Sequence, residues 1–284
     1  MNMDTSLQKQ KAETLLSLHT NGKLLILPNI WDPIGARVLE VKGYPAVATG
    51  SAAVSASLGY DDGEKIKRST HISILSRIAK SVDVPVTADI ESGYAKTLSD
   101  LEETILQVLD SGVVGINFED SINDGKSLRL IDEQCERISK IREVSDRQGI
   151  HLVINARVDS FLSSAISAPR EKMEDAVVRA KAYSDAGADC IYPIGPGDIE
   201  TVKELRARIA SPINIFGTAN ATPLPLLQEI GINRVSFGSN IFRSCLKKFL
   251  DIADALHDMK GYECFGENTM SGAATKAYLR QETE

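Results

Sequence analysis

Basic residues are in short supply in this chain. Its 32 lysines and arginines fall below its 39 aspartates and glutamates, leaving a formal net charge of −7. Nucleic-acid backbones are held by clustered cations, so a nucleic-acid partner is not expected. There is no apolar run of the ~18 residues that a membrane-crossing helix needs. The first 22 residues are polar and lack the apolar stretch of a secretory signal. These absences predict a soluble, cytoplasmic protein with no membrane partner. Cysteine is sparse: Cys135, Cys190, Cys245 and Cys264 lie far apart and form no Cys-x-x-Cys pair. That excludes the usual zinc spacing and gives no disulfide framework; Cys190 in an apolar strand and Cys245 in a helical pattern read as buried thiols. The four histidines, His19, His71, His151 and His257, fall outside the strand tips described below, so none is assigned a catalytic role. No Gly-x-Gly-x-x-Gly follows an early strand, which removes the best support for an open dinucleotide-binding sheet.

What is present is a repeated alternation. Apolar strand patterns over 23–29, 46–51, 84–91, 113–119, 151–158, 190–194, 213–216 and 234–237 are separated by helical patterns. Those helices are expected over 32–42, 65–81, 98–110, 131–148, 170–185, 198–209, 223–229 and 240–259, with a further one within residues 1–22 and a loop over 52–64. Nearly every helix stops at a glycine, and Asp32-Pro33 opens one as capping requires. Near-continuous apolar strands between helices indicate a parallel sheet. Eight such units in 284 residues predict an α/β fold of the (β/α)8 TIM type, which fills about 250 residues as one unit. The expected layout is one barrel over residues 1–260 with its N-terminal helix, then a tail over 261–284.

Barrel chemistry sits where the βα loops converge, at the carboxyl ends of the strands. The third strand ends in Asp89-Ile90-Glu91, whose i, i+2 spacing would place both carboxylates on one side of an extended chain. The fourth ends in Glu119-Asp120 and the fifth in Asn155-Ala156-Arg157-Val158-Asp159. Carboxylates gathered from adjacent strands, without a set of His or Cys, suit a hard divalent cation such as Mg2+, with Mn2+ as the alternative. Arg157 beside them could grip a substrate carboxylate with two hydrogen bonds, or could be a barrel-interior ion pair to Asp159 or Glu119.

Four ordered motifs, Thr49–Glu64 (TGSAAVSASLGYDDGE), Ala88–Tyr94 (ADIESGY), Gly115–Asp120 (GINFED) and Asn155–Asp159 (NARVD), resemble in order and spacing the isocitrate lyase/phosphoenolpyruvate mutase superfamily. The resemblance covers roughly residues 20–245. It implies a barrel that binds Mg2+ and a small anionic α-oxo or 2-hydroxy acid and makes or breaks a C–C or P–C bond beside the carbonyl. Carried over residue by residue, Asp89 matches the direct metal ligand, and Asp62, Glu91 and Glu119 match acids that hold the metal's waters. Arg157 matches the arginine that receives the substrate anion. The backbone of Gly50, Ser51 and Ala52 matches the loop for the substrate's carboxylate and carbonyl oxygens, and Asn155 stands in the same substrate-binding set. Asp62, Glu119 and Arg157 are the catalytic candidates. The resemblance also implies a homo-oligomer, dimer or tetramer, in which the terminal helix is exchanged between subunits; closure of that helix onto its own barrel is the other reading.

The match fails at the lid. Family lyases carry a Lys-Lys-Cys-Gly-His segment after the fourth strand, whereas residues 121–128 here read Ser-Ile-Asn-Asp-Gly-Lys-Ser-Leu, without cysteine or histidine. Cys135 comes too late and reads as structural. The mutases and phosphonopyruvate hydrolases use a lysine with an Asn-Ser pair; Lys126 lies one residue out of step and no such pair follows. A Mg2+-dependent lyase or decarboxylase is therefore expected first, because decarboxylation needs no acid or base to begin bond breaking. A P–C mutase or hydrolase and a non-catalytic oxoacid-binding protein are the alternatives.

Overall fold

The computed structural model describes residues 5–122, 127–265 and 269–279. Strands β1 (Leu25–Leu27) and β2 (Asn29–Ile30) are two halves of one stave, separated at Pro28, which has no N–H to give to a ladder. The other staves are β3 (Val47–Thr49), β4 (Val86–Asp89), β5 (Gly115–Glu119), β6 (Val153–Val158), β7 (Cys190–Pro193), β8 (Asn214–Phe216) and β9 (Arg234–Ser236). All pairings are parallel, in the order β2-β3-β4-β5-β6-β7 and β1-β9-β8. A parallel bridge from Ile191 to Ile213 joins the two sheets, and the β1/β2 stave joins them on the other side, so the eight staves close. Asn29 secures that second join: its side-chain amide donates to Thr49 O (2.8 Å), while its Oδ1 accepts from the N–H groups of Phe237 (2.7 Å) and Gly238 (3.0 Å). The barrel expected from the alternation is thus found.

The helices are α1 (Thr5–Thr20), α2 (Pro33–Val41), α3 (Ser51–Ser57), α4 (Arg68–Ser81), α5 (Leu98–Asp110), α6 (Ile131–Arg147), α7 (Pro169–Asp185), α8 (Ile199–Arg208), α9 (Leu224–Ile230), α10 (Asn240–His257) and α11 (Gly272–Lys276). Two of these helices were not expected. Residues 52–57, expected as loop after a strand ending at Ser51, belong to α3, a run of small residues in which Ser51, Ala53, Val54 and Ser55 are buried; α11 lies in the stretch expected as a tail. The strand through Asp89 is also shorter than expected. β4 ends at Asp89, and Glu91 has φ +53°, in the left-handed region, so the i, i+2 strand argument does not place its carboxylate; the turn at 90–93 does.

Along the staves the pleat divides the molecule. Ala48, Ala88, Ile116, Phe118, Ile154, Ala156, Ile191, Ile215 and Val235 are buried in the apolar core. The alternate positions Thr87, Asp89, Asn117, Glu119, Asn155, Arg157, Tyr192, Asn214, Arg234 and Ser236 give the interior a polar lining. Helix α1 stoppers the amino end: Gln8 donates to Leu109 O and Val113 O, Lys11 to Val82 O, and Leu15 is fully buried. Gly115 makes that fit possible. A Cβ there would lie 2.6 Å from Leu15 Cδ2 and 3.0 Å from Thr87 Oγ1. Gly115→Ala is therefore expected to destabilise the protein by about 1–3 kcal/mol through overpacking, read as a lower urea midpoint; an unchanged midpoint would show that α1 yields at no cost.

Helix α10 differs from the helices that pack around the barrel. None of its 18 residues is buried, and Leu246, Phe249, Leu250 and Leu256 are exposed, Phe249 by 66%. Cys245 is also exposed, which corrects the expectation of a buried thiol; past Phe242, which packs edge-on against Trp31, the helix around Cys245 is largely uncovered by the described residues. Cys190 is buried as expected, and Cys135 is partly so.

Candidate active site

Register sets the site. The Cα pairs Asp89↔Asn117, Asn117↔Asn155 and Asn155↔Cys190 form one row across β4–β7, and Glu119↔Arg157↔Tyr192 form the next row towards the carboxyl end. Because the side-chain period is two, both rows face the interior. Asp89 is anchored from several sides. Its Oδ2 accepts from the Ser51 N–H (3.0 Å) and Ser51 hydroxyl (2.8 Å), and its Oδ1 from Asn117 Nδ2 (3.0 Å). Its own N–H donates to Thr49 Oγ1 (3.0 Å), and its carbonyl accepts from His71 Nε2 (3.1 Å).

Glu91, 2% exposed, accepts from the Glu64 N–H (2.7 Å) and the Tyr94 hydroxyl (3.3 Å). Burial, followed by the charges of Asp89, Asp62 and Glu119, pushes its carboxyl up to about 8. Glu119 is 8% exposed, held by the Ser121 hydroxyl (2.6 Å) and by Arg157 Nη1 (2.7 Å). Burial raises its carboxyl and Arg157 pulls it back. The Arg157 guanidinium forks onto Asp159 through Nε (2.6 Å) and Nη2 (2.7 Å). Against the burial that favours its neutral form, Glu119 and Asp159 hold its proton firmly. Asp62 lies exposed at the mouth, its carboxyl raised by partial desolvation and then by Asp89.

Two connected chambers meet at Asp62, Arg157 and Leu162. The outer, about 370 Å3, is lined by Glu91, Glu119, Asp159 and Lys65 among others. The deeper, about 520 Å3, runs from Gly50, Ser51 and Ala52 past Asp89 and Asn117 to Tyr192 and Arg234.

The structure therefore brings together Asp62, Asp89, Glu91, Glu119, Arg157 and the Gly50–Ala52 turn. Asn155 is placed differently: it is fully buried beneath the cavity and donates to Asn117 Oδ1 (2.8 Å), reaching Asp89 only through that amide. Within the turn, the Gly50 N–H is committed to Ile30 O (3.2 Å) and the Ser51 N–H to Asp89. Asn117, Ser121, Glu64 and Tyr94 hold the acids in place and were not singled out from the sequence, whereas Asp159, which braces Arg157, was named there as an ion-pair partner. Asn117 could have been, since it lies two residues before Glu119 on the same strand face. Glu64 and Tyr94 gave no such signal, because they reach Glu91 through turns at positive φ. Lys126, the lysine nearest the expected lid, lies outside the described residues.

A closed parallel barrel with acids, an arginine and an anchoring amide converging at its carboxyl end has the layout of an enzyme of the barrel class. Comparison narrows the class. The phosphoenolpyruvate phosphomutase family model matches residues 15–257, and the chain belongs to that family, within the isocitrate lyase/phosphoenolpyruvate mutase superfamily of lyases and mutases. A Corynebacterium glutamicum relative named probable 2-methylisocitrate lyase 2 is 32% identical over 232 residues, 76% of this chain and 71% of that one. An oxaloacetate decarboxylase of Pseudomonas putida is 26% identical over 274 residues, 93% and 90% of the two chains. A crystal structure of a candidate phosphonomutase from Burkholderia cenocepacia J2315 is 36% identical, with a TM-score of 0.82, covering 86% of this chain and 99% of that one. No described helix is long and apolar enough to cross a membrane.

Proposed function

We propose that the protein is a Mg2+-dependent lyase or decarboxylase that cleaves a C–C bond beside the carbonyl or hydroxyl of a small α-oxo or 2-hydroxy di- or tricarboxylate. The observation that carries this reading is the imbalance of charge in the cavity. Asp62, Asp89, Glu91 and Glu119 converge there, and the guanidinium of Arg157 is shared between Glu119 and Asp159. Acids crowded in this way ask for a divalent cation, and an all-oxygen donor set suits Mg2+. Among the described residues no three His, Cys, Asp or Glu side chains converge into a ready-made cage. Mg2+ commonly keeps several waters and uses one or two carboxylates. Asp89 would hold it directly, with Asp62, Glu91 and Glu119 holding its waters; bound there, it would polarise the substrate oxygen on which negative charge develops.

The chain's own groups do the rest. The Gly50–Ala52 turn, with its Gly50 N–H committed to Ile30 O and Ser51 fixed by Asp89, would offer substrate oxygens the backbone N–H of Ala52. Arg157, braced by Glu119 and Asp159, presents its remaining N–H groups to a substrate anion. Asp62, at the mouth shared by both chambers, is placed to exchange a proton with bound substrate. The 36% identity to the candidate phosphonomutase keeps a P–C bond reaction as the second reading. Incubating the protein and Mg2+ with oxaloacetate, isocitrate, methylisocitrate and phosphonopyruvate, while following pyruvate, glyoxylate and phosphate, separates the two. Turnover of phosphonopyruvate alone would overturn the C–C assignment, and turnover of none would leave an oxoacid binder.

The acids also predict how pH and metal act together. Glu91 titrates at about 8 in the fold, against 4.5 for an ordinary glutamate. Between those values the folded chain holds more protons than the unfolded one, so this group's contribution to stability is lost as pH rises from 4.5 through 8. A cation must displace the proton, and it binds more readily once the proton has gone. Mg2+ is expected to raise the melting temperature more at pH 8 than at pH 6, by roughly 3 °C or more. An equal or reversed difference, measured by scanning fluorimetry, would remove Glu91 from the metal's surroundings.

The bare apolar face of α10 supports a homo-oligomer in which that helix is covered by another subunit. Light scattering is expected to give a multiple of 30.8 kDa, and Phe249→Glu to reduce it towards one chain; a monomeric wild type would discard the reading.

A further inference from the structure

At the base of the deeper chamber lies a cation that the proposed chemistry does not use. Arg234, on β9, is 2% exposed and lines the same chamber as Gly50, Ser51, Ala52 and Asp89. Its Nε has no hydrogen-bond partner. Its Nη1 makes one long contact, 3.5 Å, to His19 Nε2, and among the described residues no carboxylate lies within ion-pair distance. The histidine cannot balance the charge. His19 Nδ1 lies 2.8 Å from the Leu15 carbonyl, so that nitrogen carries the hydrogen and Nε2 is the acceptor of a neutral ring. Burial, then the charge of Arg234, pushes His19 down to about 4, consistent with that neutral form. The neighbouring stave residues are neutral as well: Asn214, paired in register with Arg234, is engaged with Ser236 (2.9 Å), and Cys190 and Tyr192 follow on β7.

A buried, unpaired guanidinium is costly to keep, because desolvation penalises the charge and, among the described residues, the charge of Asp89 in the same chamber offsets it only from beyond ion-pair distance. The other interior arginine, Arg157, is fully braced by acids, so the barrel does not lack the means to neutralise such a group. Open space in front of Arg234 lets an anion supply the missing partner, and a guanidinium favours planar carboxylates. We propose that Arg234 makes the base of this chamber an anion subsite for a carboxylate, so that bound substrate carries one carboxylate at the Gly50–Ala52 turn and another reaching inward to Arg234. The subsite deepens the function proposed above and rests on it for the identity of the substrate, though not for its own existence. It selects dicarboxylates over monocarboxylates, and long ones over those that cannot span the chamber.

The test uses the whole protein with Mg2+ and two unreactive probes, succinate and acetate, titrated calorimetrically. Arg234→Met removes the charge while keeping length and apolar contact, and Arg234→Lys keeps the charge without the planar fork. Wild type is expected to bind succinate more tightly than acetate. Arg234→Met is expected to weaken succinate by about tenfold or more with little effect on acetate, and Arg234→Lys to fall between. Succinate bound equally by wild type and Arg234→Met overturns the subsite, and so does a wild type that does not distinguish the two probes. Should Arg234→Met not fold, Arg234→Lys decides by the same ratio of succinate to acetate affinity. A purely structural arginine would lower the melting temperature in the variants and leave that ratio unmoved. Succinate binding that depends on Arg234 without turnover of any panel substrate keeps the subsite and discards the lyase. Turnover with an unchanged ratio does the reverse.

Discussion

Asp89→Asn is expected to lower kcat/KM by about three orders of magnitude on whichever substrate of the panel turns over, the scale of losing ~4 kcal/mol of charge stabilisation at a metal-assisted step. The substitution is nearly isosteric, and the pocket of donors around Asp89 explains what it removes. The Ser51 N–H and hydroxyl and the Asn117 amide all donate to the carboxylate, so an amide NH2 at position 89 would face either the Ser51 N–H or the Asn117 NH2, neither of which can accept. The charge that would anchor the cation goes at the same time. Stability without metal moves the other way: Asp89 is the largest charge raising the Glu91 carboxyl after burial itself, so its neutralisation relieves repulsion. The melting temperature in the presence of chelator should stay level or rise, while the increase produced by Mg2+ disappears. An Asp89→Asn protein that keeps more than about a tenth of the activity, or that still responds fully to Mg2+, removes this residue from the metal site.

Arg157→Ala combines two losses. Glu119 and Asp159, both buried, would face one another without the guanidinium they share. Breaking a buried ionic group by removing one partner costs about 3–5 kcal/mol, so the urea midpoint should fall clearly. The folded fraction should also bind its substrate at least ~2 kcal/mol more weakly, through loss of the charged hydrogen bonds to the anion. Arg157→Lys separates the effects: one ammonium can meet one acid but cannot fork, so stability recovers in part while KM remains high. If Arg157→Ala lowers stability and leaves KM unchanged, the arginine is an interior brace and nothing more.

The barrel was legible because each stave is an apolar run set off by glycine stops, and that periodicity survives in the fold. Its broken first stave was not, since a run such as Leu24–Asn29 reads as continuous until the missing N–H of Pro28 is counted. Asp89, Glu119 and Arg157 were legible from position alone, at the ends of three successive strands. Glu91 reaches the site by a route its spacing does not show: a turn in left-handed backbone, not strand pleat, directs its carboxylate inward. The depth of Asn155 was not legible, because a motif read along the chain does not say how deep each residue lies in a closed tube. Arg234 escaped notice since a single basic residue in a short strand reads as an edge or a surface position. Only closure of the sheet turns it inward, where its lack of a partner becomes visible.

Among the described residues, the helix stoppered into the amino end leaves the carboxyl end as the way into this tube. Where reactant and product share that doorway, traffic is sequential: a spent molecule leaves before a fresh one reaches the innermost recess. A released fragment held deepest would then depart last, and product inhibition should be strongest for the fragment that sits farthest from the entrance.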